Sequence, residues 1–313
     1  ATSYILSAVE PEWSRVLAGT VVSGPIARDD RIYLSGTDRT VTCISEKGAF
    51  LWSKPIPGKM SPFLSVLRSG MVLAVSGNGT VSALSMDGLS LWQLKSPDLP
   101  IAAPYEGRDG RIFLVYANRI VCISPTATVK WTLPLSRVPR ELIAETGSGD
   151  LLLALEDSSV LRVSPFGQAL ELIEHQDTPT AILPVDSGFV CGFSSGVVRG
   201  YDVRDSRAQA KRNATEPVWE RKMGSRIVAL ASQEGTLCAL DAEGGICGLN
   251  VTDGAPLWAA STGHRVQGRG AIEYEYGQFN FIYRGYASAR TALGRPVFEL
   301  ELPVGSSDPA LSD

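Results

Sequence analysis

Five cysteines, Cys43, Cys122, Cys191, Cys238 and Cys247, and two histidines, His175 and His264, have the widest chemical range in this chain. Thiolates and imidazoles could ligate zinc or form a nucleophile–base pair, and both arrangements have recognisable spacings or partners. Neither is present. The cysteines are odd in number, never adjacent and spread along the chain, which argues against a disulfide framework. They read as small buried hydrophobes, and the histidines read as surface or loop residues. Asp and Glu are scattered through turns, so no carboxylate pair for acid–base work can be named. Gly24, Gly36, Gly77 and Gly79 punctuate strands, and no glycine-rich loop opens a helix to cradle phosphate. The Asn-x-Thr strings at Asn78, Asn213 and Asn250 read mainly as turns rather than glycan sites. Catalytic, cofactor and metal sites are therefore all expected to be absent.

Charge offers more. The formal net charge of −4 supplies no field that would draw nucleic acid or an anionic membrane. Against that acidic whole, Arg204, Arg207, Lys211 and Arg212 make one basic loop, and His264-Arg265 with Arg269 makes a second basic turn. A solvated loop is the plain reading; the functional one is a partner-docking site carried on a rigid scaffold. No apolar run approaches the ~18–20 residues that cross a bilayer.

The elements that would carry such loops follow from the tryptophans. Trp13, Trp52, Trp92 and Trp131 fall at intervals of 39, 40 and 39 residues, and Trp219 and Trp258 are again 39 apart. Two further slots are filled by other residues: Glu171 after Phe166-Gly167, and Phe298 after Gly294. Each slot closes a recurring string, clearest as Asp87-Gly88-Leu89-Ser90-Leu91-Trp92 and Asp253-Gly254-Ala255-Pro256-Leu257-Trp258. Between slots lie short runs rich in strand formers, such as Arg31–Ser35 and Val41–Ser45, separated by turns every 8 to 12 residues. That is the composition of a four-stranded propeller blade rather than of a helical repeat. Ser45, Ser85, Ser124 and Asn250 each end a third strand, where a small polar side chain can bond the backbone just beyond. Asn78-Gly79 reads as a tight hairpin turn. The aromatic run Tyr274, Tyr276, Phe279, Phe281 and Tyr283 reads as packing between blades.

The expectation is one all-β domain over residues 1–313, a β-propeller whose repeats end near Trp13, Trp52, Trp92, Trp131, Glu171, Trp219, Trp258 and Phe298. Eight slots favour eight blades, the last assembled from both termini; seven blades is the alternative. The polar stretch 204–216 is the one sizeable insertion. The chain opens on Ala1 rather than Met, so an upstream segment is expected to have been removed by signal cleavage or trimming.

With these strings in view, the chain resembles the pyrroloquinoline-quinone-like propeller repeat, over roughly residues 13 to 298. The resemblance implies that each slot residue (Trp13, Trp52, Trp92, Trp131, Trp219, Trp258, Phe298) docks against the next blade. It also implies a choice of roles, because the family holds quinoprotein dehydrogenases and the lipoprotein B subunit of the bacterial β-barrel assembly machinery. The dehydrogenases set adjacent cysteines, a floor tryptophan, calcium and a catalytic Asp around the quinone, and this chain has no adjacent cysteines. The reading is a monomeric, non-catalytic protein-binding or scaffold propeller without a cofactor. It is placed in the periplasm or at the cell envelope, compatible with a lipid anchor upstream of Ala1. A quinone-dependent dehydrogenase or degenerate relative, and a ligand-binding sensor ectodomain of a longer protein, are the alternatives.

Overall fold

A computed structural model describes residues 5–6, 12–186, 188–202, 216–266, 271–275, 277–283 and 286–301. Among these residues every regular element is a strand, and no helix is long and apolar enough to cross a membrane. The strands form seven sheets, each with four consecutive strands pairing in chain order. In residue numbers these are sheet I (21–55), II (60–94), III (105–134), IV (139–173), V (179–222), VI (227–261) and VII (271–301).

The burial of each strand follows its place in the sheet. Second strands such as Val72–Ser76, Ile112–Tyr116 and Leu151–Leu155 are buried along their whole length, so they read as almost continuous apolar runs, Ser76 being the exception. Fourth strands such as Phe50–Pro55, Val129–Pro134 and Pro256–Ser261 are sheet edges that alternate exposed and half-buried residues. The tryptophans lie on their half-buried positions.

The turn from third to fourth strand is the same in several sheets. In sheet II, Ser85 N–H bonds Leu89 O (2.8 Å), Gly88 N–H bonds Ser85 O (3.0 Å), and Ser85 Oγ accepts from Leu89 N–H (3.2 Å). Ser45, Ser124 and Thr291 accept from the residue four ahead in the same way. The fourth turn position needs a left-handed backbone, with φ of +78° at Gly48, +79° at Gly88 and +77° at Gly294; Ala127 supplies +61° where the sequence lacks glycine. The Asn78-Gly79 hairpin is wider than a two-residue primed turn. Gly79 alone takes positive φ and bonds Ser76 O, while the Asn78 side chain accepts from Thr80 N–H (3.1 Å).

Eight blades were expected, and the described residues form seven sheets. Ile5–Leu6 pairs in parallel with Glu299 and Leu300 and so adds a fifth strand to sheet VII, rather than opening an eighth sheet. Trp13 follows it in irregular chain and belongs to no sheet. The two ends of the chain do share a sheet, as an extension of the seventh.

Contacts divide the chain into two compact units. The first is Glu10–Glu141 with Phe166–Gln168; the second is Ala1–Val9, Leu142–Pro165 and Ala169–Asp313. In the first unit, Tyr33, Val41 and Cys43 of sheet I pack on Val72, Ala74 and Leu84 of sheet II, with Trp52 at the margin. In the second, Phe279 and Phe281 of sheet VII are fully buried against Cys238, Leu240 and Ile246 of sheet VI. Two members of the aromatic run are thus core between adjacent sheets.

Candidate functional site

The repeated slot residues have a consistent geometry. Trp52 donates its indole N–H to Met86 O at 2.8 Å, and its ring lies so close to Gly88 that a Cβ there would sit 2.8 Å from Trp52 Cδ2. Within the first unit, Trp13 repeats this on Glu46 O (2.8 Å) and Gly48, and Trp92 donates to Pro125 O (2.8 Å). Trp131 covers Gly167. In the second unit, Trp219 donates to Val251 O (3.2 Å) over Gly254, and Trp258 to Ala292 O (2.8 Å) over Gly294. Phe298 occupies the slot position of sheet VII in the strand Pro296–Glu301. The turn glycine of one repeat is therefore the seat for the tryptophan of the repeat before it.

On the neighbouring third strand the residue paired with each slot is small: Cys43 faces Trp52, Ala83 faces Trp92, Cys122 faces Trp131, Gly200 faces Trp219, Gly248 faces Trp258 and Ala289 faces Phe298. Sheet IV breaks this rule on both sides, pairing Arg162 with Glu171. The Arg162 guanidinium binds Asp150 Oδ2 through Nε (2.8 Å) and Nη2 (2.6 Å), and Nη1 lies 3.8 Å from Glu171 Oε2. One cation thus holds two carboxylates, of which Asp150 is buried.

The cysteines serve the same packing. All five are free thiols, four of them fully buried. Burial pushes the Cys122 thiol up to about 11 and raises Cys43, Cys191, Cys238 and Cys247 as well, the opposite of what a nucleophile or metal thiolate requires. Among the described residues, no three His, Cys, Asp or Glu side chains converge as a metal would need. These residues do not fit a quinone site: no two cysteines are adjacent in the sequence, and four of the five thiols are core.

His175 is a loop residue, as expected, but it is half-buried rather than on the open surface. It lies after the strand Ala169–Ile173 and four residues beyond its slot, where three other repeats carry Ile56, Leu135 and Met223 and two carry Ser96 and Thr262. Its ring meets Phe193 edge-on at 4.9 Å, its Nδ1 is 3.3 Å from Tyr201 Oη, and its Nε2 is buried without a hydrogen-bond partner. Desolvation, helped by the Arg199 charge and opposed by Asp177, lowers its pKa from 6.5 to about 4. The neutral ring is favoured by folding, so its contribution is complete above pH 6.5 and is lost as acid charges it down to about pH 4. His175→Leu is expected to remove about 2 kcal/mol of acid sensitivity, after allowance for partial solvent screening. Melting curves should separate the two proteins at pH 7 less than, or with opposite sign to, pH 4.5; parallel curves at both pH values would refute the assignment.

His264 is exposed and lies on the Tyr286 ring (4.5 Å), and the adjacent Arg265 is paired with Glu243 (2.7 Å). The second basic turn is partly neutralised by that pair, and Arg269 lies outside the described residues. So do Arg204, Arg207, Lys211 and Arg212.

The sequence profile of one family, described as outer membrane protein assembly factor BamB, matches residues 7–124 and 77–280. The chain belongs to this family of pyrroloquinoline-quinone-like repeat propellers. BamB from Moraxella catarrhalis is similar in fold at 15% identity, with a TM-score of 0.60 over 88% of this chain and 81% of that one. The computationally designed protein Ika8 is similar at 13% identity, with a TM-score of 0.73 over 90% and 86%. No curated protein sequence matches the chain. The fold class is the β-propeller, as the repeats implied.

Proposed function

We propose that this BamB-like propeller is a non-catalytic, protein-binding scaffold of the cell envelope, an assembly factor acting as a monomeric single domain. The observation that carries the reading is that the family match spans residues 7–280, while the five thiols and the half-buried His175 ring are engaged in packing. Cysteines sit opposite tryptophans or in the core, and the turn glycines seat aromatic rings. For recognition, the most distinctive feature of the sequence is the basic insertion with Arg204, Arg207, Lys211 and Arg212. Periplasmic placement, with a lipid anchor upstream of Ala1, belongs to the same proposal and rests on the family.

Replacing Arg207, Lys211 and Arg212 together with serine is expected to leave the melting temperature nearly unchanged and to deplete the proteins captured by the tagged chain from its native cell envelope. An unchanged set of captured proteins would remove the loop from the proposal; loss of folding would make it structural. Quinone and calcium added to the purified chain provide the check on the dehydrogenase alternative: bound-cofactor absorbance with dye reduction would overturn the scaffold reading.

A further inference from the structure

The first unit holds a cavity of about 200 Å³ against one face of sheet I. Strand alternation puts Leu34, Thr42 and Ser53 on that face, since Leu34 pairs with Thr42 and Thr42 with Ser53. The segment from Arg15 to Gly19 forms the opposite wall and is tied down near both ends. Arg15 Nη1 donates to Gly48 O (2.8 Å), Thr37 N–H to Thr20 O (2.8 Å) and Thr20 N–H to Thr37 Oγ1 (3.1 Å). Gly19 lies close enough to the next turn that a Cβ would sit 2.8 Å from Asp38 N. The volume is that of about seven waters at ~30 Å³ each, room for one small ring.

The hydroxyls in this cavity form a chain. Ser53 Oγ is 3.1 Å from Thr42 Oγ1, Thr42 Oγ1 is 3.4 Å from Thr40 Oγ1, and Thr40 Oγ1 is 3.0 and 2.9 Å from the two oxygens of Asp38. A carboxylate can only accept, so Thr40 donates to Asp38, Thr42 to Thr40, and Ser53 to Thr42. Every hydroxyl proton in the chain is then used internally. The lining offers a ligand lone pairs on Ser53, Thr42 and Asp38, and its side-chain donors are the Arg15 guanidinium and the Ser35 hydroxyl. The cation in the lining, Arg15, balances Asp38, and its guanidinium covers the Phe50 ring from 5.5 Å while that ring stays half-exposed.

We propose that this cavity binds a neutral polyhydroxylated ring, a saccharide unit, independently of any protein partner. Its hydroxyls would donate to Asp38, Thr42 and Ser53, and the C–H face of the ring would rest on Phe50. With one cation, Arg15, and one carboxylate, Asp38, the lining carries no net formal charge, which favours a neutral ligand over either ion.

The test is saturation-transfer NMR on the full chain with D-glucose, and with D-glucuronate as the anionic counterpart. Transfer to glucose is expected. Asp38→Asn and Thr42→Val should each weaken it about tenfold, the loss expected for one well-made hydrogen bond to a charged or buried group. Phe50→Ser should abolish transfer and Phe50→Tyr should retain it. Melting temperatures of the four variants would identify any that fail to fold, and the Phe50→Tyr rescue keeps the test decisive if Thr42→Val does. Absence of transfer to glucose, preference for glucuronate, or transfer undiminished in folded Asp38→Asn and Phe50→Ser proteins would overturn the proposal.

Discussion

Trp52→Ala is expected to lower the unfolding free energy by about 3 kcal/mol, the low end of the range for large aromatic truncation because the ring is only half-buried. Three losses combine. The indole packs at the edge of the cluster containing Tyr33, Cys43 and Leu84, its N–H is the donor to Met86 O, and its ring covers the left-handed turn at Gly88. Gly88→Ala is destabilising for two separable reasons. An L-residue at φ +79° costs about 1–2 kcal/mol, and its Cβ would enter the ring at 2.8 Å from Cδ2. Only the second depends on Trp52. In a double-mutant cycle measured by urea denaturation, Gly88→Ala should therefore cost less in the Trp52→Ala background than in the parent. Additive effects would mean that the glycine serves its own turn and not the tryptophan of the preceding repeat.

That relation marks the limit of what could be read from the chain alone. The period, the strand runs and the turn residues were legible because each is a local signal repeated many times: Ser85 bonds within four residues, and Gly88 declares its turn by type. The partner of Gly88 was less visible, because the eye pairs it with Trp92 four residues on, whereas the contact is to Trp52. A spacing did carry it: Trp13 and Gly48, Trp52 and Gly88, Trp131 and Gly167, Trp219 and Gly254, and Trp258 and Gly294 are all 35 or 36 residues apart. Eight slots stand against seven sheets among the described residues for a related physical reason. Trp13 makes the same indole bond and the same glycine contact as a fourth-strand tryptophan while belonging to no sheet, so its sequence environment cannot be told from theirs. The saccharide cavity left no trace in the sequence, since threonines and serines alternating on a strand are ordinary and only the Arg15–Gly19 segment turns them into a lining.

Arg162→Ala carries the other large expected effect, a loss of about 3 kcal/mol, at the lower end of what breaking a buried ion pair costs. The argument turns on what the variant leaves behind. Asp150 is 5% exposed, and its Oδ2 takes both Nε and Nη2 of Arg162; the other side-chain donor to that oxygen is the Ser148 hydroxyl at 3.1 Å. Removing the guanidinium strands this carboxylate and frees Glu171, which then faces Asp150 with no cation between them. Glu171→Gln should cost much less, because the pair at 3.8 Å is long and Asp150 keeps its bidentate partner. The asymmetry between the two variants in chemical denaturation separates an Arg162 that serves the buried Asp150 from one that exists to pair with the slot residue. A repeat-like replacement sharpens the test. Glu171→Trp alone would set an indole against Arg162, whereas every other large slot residue faces Cys, Ala or Gly. Glu171→Trp with Arg162→Ala and Asp150→Asn restores the small partner and removes the orphaned charge, and it should recover most of the stability lost in Arg162→Ala. If the triple variant is no more stable than Arg162→Ala, sheet IV has lost the capacity to seat a tryptophan, and the Arg162–Asp150 pair is the device that replaced it.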